Sequence, residues 1–223
     1  MSTSNFFLSA SDLVHLNLRK IRNFMFTSPE AMVTCLGVLP NLRELFIKTK
    51  PASAFPGPTS YVSSSCTVLP LLTLFDFRGG RKYLDDVVAR IDTPLLDTLH
   101  IRFLSSTDLN IDLSRLNRFI VHAEGLWPLH QARLESELLS ARITLGSRTV
   151  LLLRRDPHQR LSSTGQLCNQ LSSLLSHVEQ LIICFANLAQ LWWRDIKLAL
   201  RVFNLDFSAR LSPCRDCMYA RNW

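Results

Sequence analysis

Cys214-Arg-Asp-Cys217 is the one Cys-x-x-Cys of the sequence, the spacing of a redox dithiol or of half a zinc site. A structural zinc takes four ligands, and no second pair stands close by; His177 and Cys184 are distant in sequence. Six histidines (15, 100, 122, 130, 158 and 177) are scattered along the chain. His15 and His100 could meet an acid such as Asp76 from neighbouring strands, which lie about 4.8 Å apart. Such a cluster still needs an activated nucleophile. The chain has no Gly-x-Ser-x-Gly, no phosphate loop and no His-Glu-x-x-His to supply one. Arg78-Gly-Gly-Arg81-Lys82 and Arg154-Arg155 are the densest basic spots. Arg81 and Lys82 open a helix, where cations oppose the dipole; this leans slightly toward contact with something acidic, but solvated side chains at a turn are the leading reading. Trp192 and Trp193 are adjacent and cannot both face one way, so they read as an end cap rather than a base-stacking platform. The expectation is a non-enzyme, with no catalytic residues, no cofactor and no metal.

Composition bounds the classes further. Of 223 residues, 47% are hydrophobic and 19% charged, ordinary for a globular protein. Seven glycines are too few for phosphate-cradling loops or a turn-rich sandwich. Net charge is +7, with 6 basic against 3 acidic side chains in residues 1–50, 5 against 6 in 51–110, 8 against 5 in 111–160 and 6 against 4 in 161–223. That spread looks diffuse, whereas nucleic-acid binders concentrate charge on one face or arm, so a nucleic-acid surface is the alternative reading only. Cys35, Cys168 and Cys184 sit in apolar surroundings, the opening Met1-Ser-Thr-Ser-Asn-Phe-Phe lacks a signal peptide's basic region and apolar run, and an intracellular compartment, cytoplasm or nucleus, is expected. The apolar stretch from Leu181 to Trp193 is interrupted by Asn187 and Gln190 and falls short of the roughly 20 residues of a membrane helix.

What must position these side chains is a repeat. Apolar residues recur at positions 1, 4, 7 and 9, often with Pro at position 2, in Leu39-Pro-Asn-Leu42-Arg-Glu-Leu45-Phe-Ile47, in Leu69-Pro-Leu-Leu72-Thr-Leu-Phe75-Asp-Phe77 and in Thr93-Pro-Leu-Leu96-Asp-Thr-Leu99-His-Ile101. A partial copy is Leu13-Val-His-Leu16-Asn-Leu18, and later ones run Leu175 to Ile183 and Ala199 to Phe207. Position 7 falls on residues 16, 45, 75, 99, 181 and 205, in steps of 29, 30, 24, 82 and 24. Steps of about 20–29 residues belong to leucine-rich repeats. The long step has room for three degenerate units, with Ala141–Leu145 and Thr149–Leu153 as strand-like candidates. Positions 7 and 9 share the buried face of a short strand, position 4 packs beneath it, and positions 6, 8 and 10 face outward.

Helices are expected between the strands. Ser28-Pro29-Glu30 is an N-cap, a proline at the first helical position and an acid in the first turn, followed by Met32, Val33 and Leu36 before Pro40. Residues 81–91 place Leu84, Val87, Val88 and Ile91 on one face; Asp112–Ile120 and Leu161–Leu175 look similar. Stacked strand–helix units bury a core that none could bury alone. The expected class is therefore α/β, a leucine-rich-repeat solenoid over residues 1–210 with parallel strands on the concave side and helices on the convex side. Residues 51–68, rich in Pro and Ser, form a loop insertion, 105–175 hold degenerate repeats, and 211–223 form an unstructured tail.

Leu13-Val-His-Leu-Asn-Leu-Arg-Lys-Ile, Ser28-Pro-Glu-Ala-Met-Val-Thr-Cys-Leu and Tyr83-Leu-Asp-Asp-Val-Val-Ala-Arg-Ile-Asp-Thr-Pro-Leu-Leu resemble the repeat region of large F-box-like leucine-rich-repeat proteins of mushroom-forming fungi. The resemblance is close over about residues 8–125 and looser to about 185. It implies substrate capture for a ubiquitin ligase, with a Skp-type linker and cullin as partners. No F-box is evident before the first repeat, and the stretch after Phe185 departs from the pattern. The expected function is protein recognition by outward strand residues: His15, Asn17, Arg19, Glu44, Phe46, Lys48, Asp76, Arg78, His100, Arg102, Gln180 and Asn204, with Phe46, Arg78 and Arg102 the leading hot spots.

Overall fold

A computed structural model describes residues 11–19, 28–49, 66–104, 112–136, 140–154, 170–185, 212–214 and 217–221. In chain order the elements are β1 (His15–Arg19), α1 (Pro29–Leu36), β2 (Glu44–Lys48), β3 (Thr67–Val68), β4 (Leu74–Gly79), α2 (Arg81–Val88), β5 (Ile91–Asp92) and β6 (Thr98–Phe103). There follow α3 (Ser114–His122), β7 (Gln131–Ser136), β8 (Ser140–Leu145), β9 (Thr149–Arg154), α4 (Ser172–Leu175), β10 (Gln180–Phe185), β11 (Ser212–Cys214) and β12 (Cys217–Arg221).

The repeated sequence makes a repeated local structure. In four copies the amide of position 4 donates to the carbonyl of position 1: Leu42 to Leu39, Leu72 to Leu69, Leu96 to Thr93 and Val178 to Leu175. Proline at position 2 pre-sets the backbone for that turn in the first three copies. The next strand then begins on a shared acceptor. Arg43 and Glu44 both donate to the Val14 carbonyl, Thr73 and Leu74 to that of Arg43, and Asp97 and Thr98 to that of Thr73. Positions 1, 4, 7 and 9 are buried in the copies that begin at Leu39, Leu69 and Thr93, including Leu39, Leu42, Leu45 and Ile47 in the first, while Leu13, Leu16 and Leu18 of the β1 copy are half-buried against the same core.

The strands form one ten-stranded sheet in the order β1-β2-β4-β6-β9-β8-β7-β10-β12-β11, with β3 and β5 pairing separately. β1, β2, β4, β6 and β9 run parallel. The class is thus α/β, with a large, mostly parallel sheet. α1 packs on α2, α2 on α3 and α3 on α4, and their apolar faces join the inward strand residues in one core. Within it Phe77 stacks on Tyr83 at 6.3 Å between centroids, and Phe75 meets Phe119 edge-on. Ser28 caps α1 by accepting from the Ala31 amide at 3.1 Å, as the sequence predicts.

Three expectations need correction. Ala141–Leu145 and Thr149–Leu153 are strands, but they do not build strand–helix units. β8 runs antiparallel to both β7 and β9, and the meander is laid down in reverse, so that β9 pairs with β6 and β7 with β10. The reason is chain length: Gly146, Ser147 and Arg148 alone join β8 to β9, whereas a parallel crossover takes a dozen or more residues. The segment beyond residue 210 is not uniformly unstructured, since β11 and β12 pair as a hairpin and β12 adds antiparallel to β10. Finally, α2 stops at Val88, and Ile91 belongs to β5 rather than to the helical face. Of the expected 161–175 helix, Ser172–Leu175 is helical and 161–169 lie outside the described residues, as do Trp192, Trp193 and most of the 51–68 insertion.

Candidate functional site

Alternation along each strand sends positions 7 and 9 into the core and positions 6, 8 and 10 to the opposite face, which the helices leave open. Register then converts sequence positions into rows that cross the sheet. The first row is His15, Glu44, Leu74 and Thr98; the second is Asn17, Phe46, Asp76 and His100; the third is Arg19, Lys48, Arg78 and Arg102. Ten of the twelve sequence-predicted residues therefore converge on β1, β2, β4 and β6, where they form one continuous patch. The other two stand apart. Gln180 is on β10, beyond β9, β8 and β7, and accepts from Gln131 at 3.0 Å. Asn204 lies outside the described residues.

The third row is the chemically distinctive one. Residues 19, 48, 78 and 102 share repeat position 10, so the 29-, 30- and 24-residue steps stack four cations on adjacent parallel strands. At about 4.8 Å per strand the row is about 14 Å long. Like charges directly opposite each other across strands repel. One acid answers within the patch: Asp76, 8% exposed, holds Arg78 in a two-pronged clamp at 3.1 Å and 3.1 Å. That hydrogen bond and the carboxylate's charge hold the Arg78 guanidinium above its ordinary pKa. Arg19 donates to the neutral Asn17 side chain at 3.0 Å. Lys48 and Arg102 are exposed and form no ion pair with any described residue.

At the start of the strands the chemistry differs. His15 Nδ1 lies 2.8 Å from a Glu44 carboxylate oxygen, and its ring sits 5.0 Å from that of Phe46. Glu44 is thereby committed to the far end of its strand from Lys48. His100 is Asp76's register neighbour, so a histidine and an acid stand side by side as anticipated from sequence, and the carboxylate of Asp76 is held by Arg78.

The basic row ends at β9, where Leu152 occupies the register position beside Arg102. Beyond it Arg142 and Arg133 are both tied to Glu135, at 3.4 Å and 2.7 Å. Sequence reasoning named none of Arg133, Glu135, Arg142 or Leu152, because no strand register was assigned to β7–β9. It also read the charge as diffuse. Counting by segment hid what the repeat phase contains: four cations at one repeat position. Among the described residues no group of three or more His, Cys, Asp or Glu side chains is placed to hold a metal ion, and no helix is long and apolar enough to cross a membrane. Compared with protein-family models, curated proteins and solved structures, the chain matches none.

Proposed function

We propose that this protein is a non-catalytic recognition module of the leucine-rich-repeat solenoid type, whose open sheet face binds another protein. The observation that carries this reading is the division of the repeats beginning at Leu39, Leu69 and Thr93 into buried positions 1, 4, 7 and 9 and an opposite strand face of positions 6, 8 and 10, with ten polar, charged or aromatic candidates gathered on four adjacent strands. The resemblance to fungal F-box-like repeat proteins adds the context of a ubiquitin-ligase adaptor, with the Skp-type linker and cullin as partners. Phe46 is the anchor, since a rigid half-buried aromatic flanked by polar groups is the usual composition of a hot spot. The test is affinity capture from a lysate of a mushroom-forming fungus, with wild type, Phe46→Ala and the helix-side Lys82→Ala in parallel. A specific prey lost with Phe46→Ala and kept with Lys82→Ala supports the reading. The reverse pattern sinks it, and recovery of linker and cullin decides the adaptor context.

The stacked cations of the third row favour a second reading, a nucleic-acid surface. Phosphate contacts make affinity fall steeply with salt. Weak, salt-insensitive binding to an oligonucleotide removes that reading.

A further inference from the structure

We infer that the row Arg19, Lys48, Arg78 and Arg102 is a binding site for an extended acidic segment of a partner protein, a run of Asp or Glu side chains lying across the parallel strands. The inference rests on the reading of the open face as an interaction face, and it specifies what that face binds.

Four neighbouring cations at about 4.8 Å spacing are unfavourable in the free protein. Among the described residues, the other acids on this sheet face are engaged elsewhere: Glu44 on His15, and Glu135 on Arg133 and Arg142 beyond Leu152. Asp76 offsets Arg78 and, in doing so, fixes the direction of its guanidinium. The uncompensated charge is therefore concentrated on Arg19, Lys48 and Arg102, and an anionic ligand is what it complements. A row of about 14 Å matches about four residues of extended chain at about 3.3 Å each. A protein fits better than a nucleic acid because the adjoining row offers a single hydrocarbon ring, Phe46, beside the His100 imidazole, and sets a carboxylate, Asp76, next to the cations. Single-stranded nucleic acids use several stacking rings in a uniformly basic groove.

The experiment is fluorescence anisotropy at low salt with a labelled peptide carrying about four consecutive Glu, the length the row allows. A Gln counterpart and a thymidine oligonucleotide of equal charge serve as comparisons. Lys48→Glu and Arg102→Glu are each expected to weaken the Glu peptide about fivefold, twice over the effect of one exposed ion pair. Lys82→Glu changes net charge equally but lies exposed on α2, and it should leave binding unchanged. Lys48→Glu also places an acid between Arg19 and Arg78, so its unfolding midpoint should match or exceed that of the wild type, which separates lost binding from lost folding. Equal weakening by Lys82→Glu, or equal binding of the Gln peptide, overturns the inference. Tighter oligonucleotide binding that Lys48→Glu abolishes also overturns it, and assigns the row to nucleic acid. A captured partner that needs Phe46 but ignores Lys48→Glu and Arg102→Glu removes the acidic ligand and leaves the interaction face standing. If none of the three substitutions matters to it, both readings fall.

Discussion

Asp85 lies half-buried on α2, where burial pushes its carboxyl up to about 6 against the attraction of Arg81 and Arg115. The unfolded chain ionises near 3.8, so between these values the folded state holds the proton more tightly and stability falls as pH rises. Above about 6 the cost is complete, on the order of 2–3 kcal/mol at most. The variant Asp85→Asn should lose this component: the difference in urea midpoint between it and wild type is expected to shift in its favour from pH 4 to pH 7. A pH-independent difference rules the account out. Thr149 is a second residue out of keeping with its surroundings. It is fully buried where β9 meets β6 and β8, and its hydroxyl has no hydrogen-bond partner among the described residues. Thr149→Val keeps the branched shape and removes the stranded polar group, and should raise stability by about 1 kcal/mol in chemical denaturation. Neither feature is legible in sequence, since Asp85 reads as a polar helix residue and Thr149 as an ordinary strand residue. Both depend on which neighbours the fold brings against them.

The element that repeats is the turn-and-strand unit, and it was largely legible. Leu-Pro-x-Leu followed by alternation states which residues go in, and burial of Leu42, Leu72 and Leu96 at 1% or less follows. Leu72→Ala should cost about 2–5 kcal/mol, as a cavity under a strand that cannot collapse. Gly125 was not legible as a packing position. It is the middle residue of the short helical turn Glu124–Leu126, and a Cβ there would come within 2.4 Å of the Leu96 carbonyl oxygen. Backbone cannot move aside as a side-chain tip can, so Gly125→Ala is expected to destabilise by about 1–3 kcal/mol, read as a lowered thermal midpoint. What escaped the sequence reading at this scale was β7–β9. Ala141–Leu145 and Thr149–Leu153 carry the alternation of strands, but alternation is silent on direction. The three-residue link from β8 to β9 was the available signal, because it is too short for a crossover.

At the scale of the whole molecule, the reversed meander ties distant parts of the chain together. In a regular solenoid each unit touches only its sequence neighbours, and stability is a sum of local terms. Here β6 depends on β9, and β10 on β7. Leu151, fully buried on β9 between β6 and β8, therefore sits at a junction. Leu151→Ala should lower hydrogen-exchange protection in β4 and β6 as well as in β7 and β8, and a loss confined to β8 and β9 argues against this coupling. The candidate patch follows the same logic of legibility. Ten of its residues could be named from repeat phase, yet their assembly into rows required knowing that β1, β2, β4 and β6 are consecutive in the sheet. The reversal also sets a timetable. As the chain leaves the ribosome, β1, β2, β4 and β6 can pair in the order they are made, but the outer edge of β6 has no mate until Thr149–Arg154 emerges. Synthesis at about 5–20 residues per second makes that interval roughly 2–9 s. For that time a half-built sheet offers an open edge to any neighbouring nascent chain, and the three-strand meander, when it arrives, closes that edge in one step.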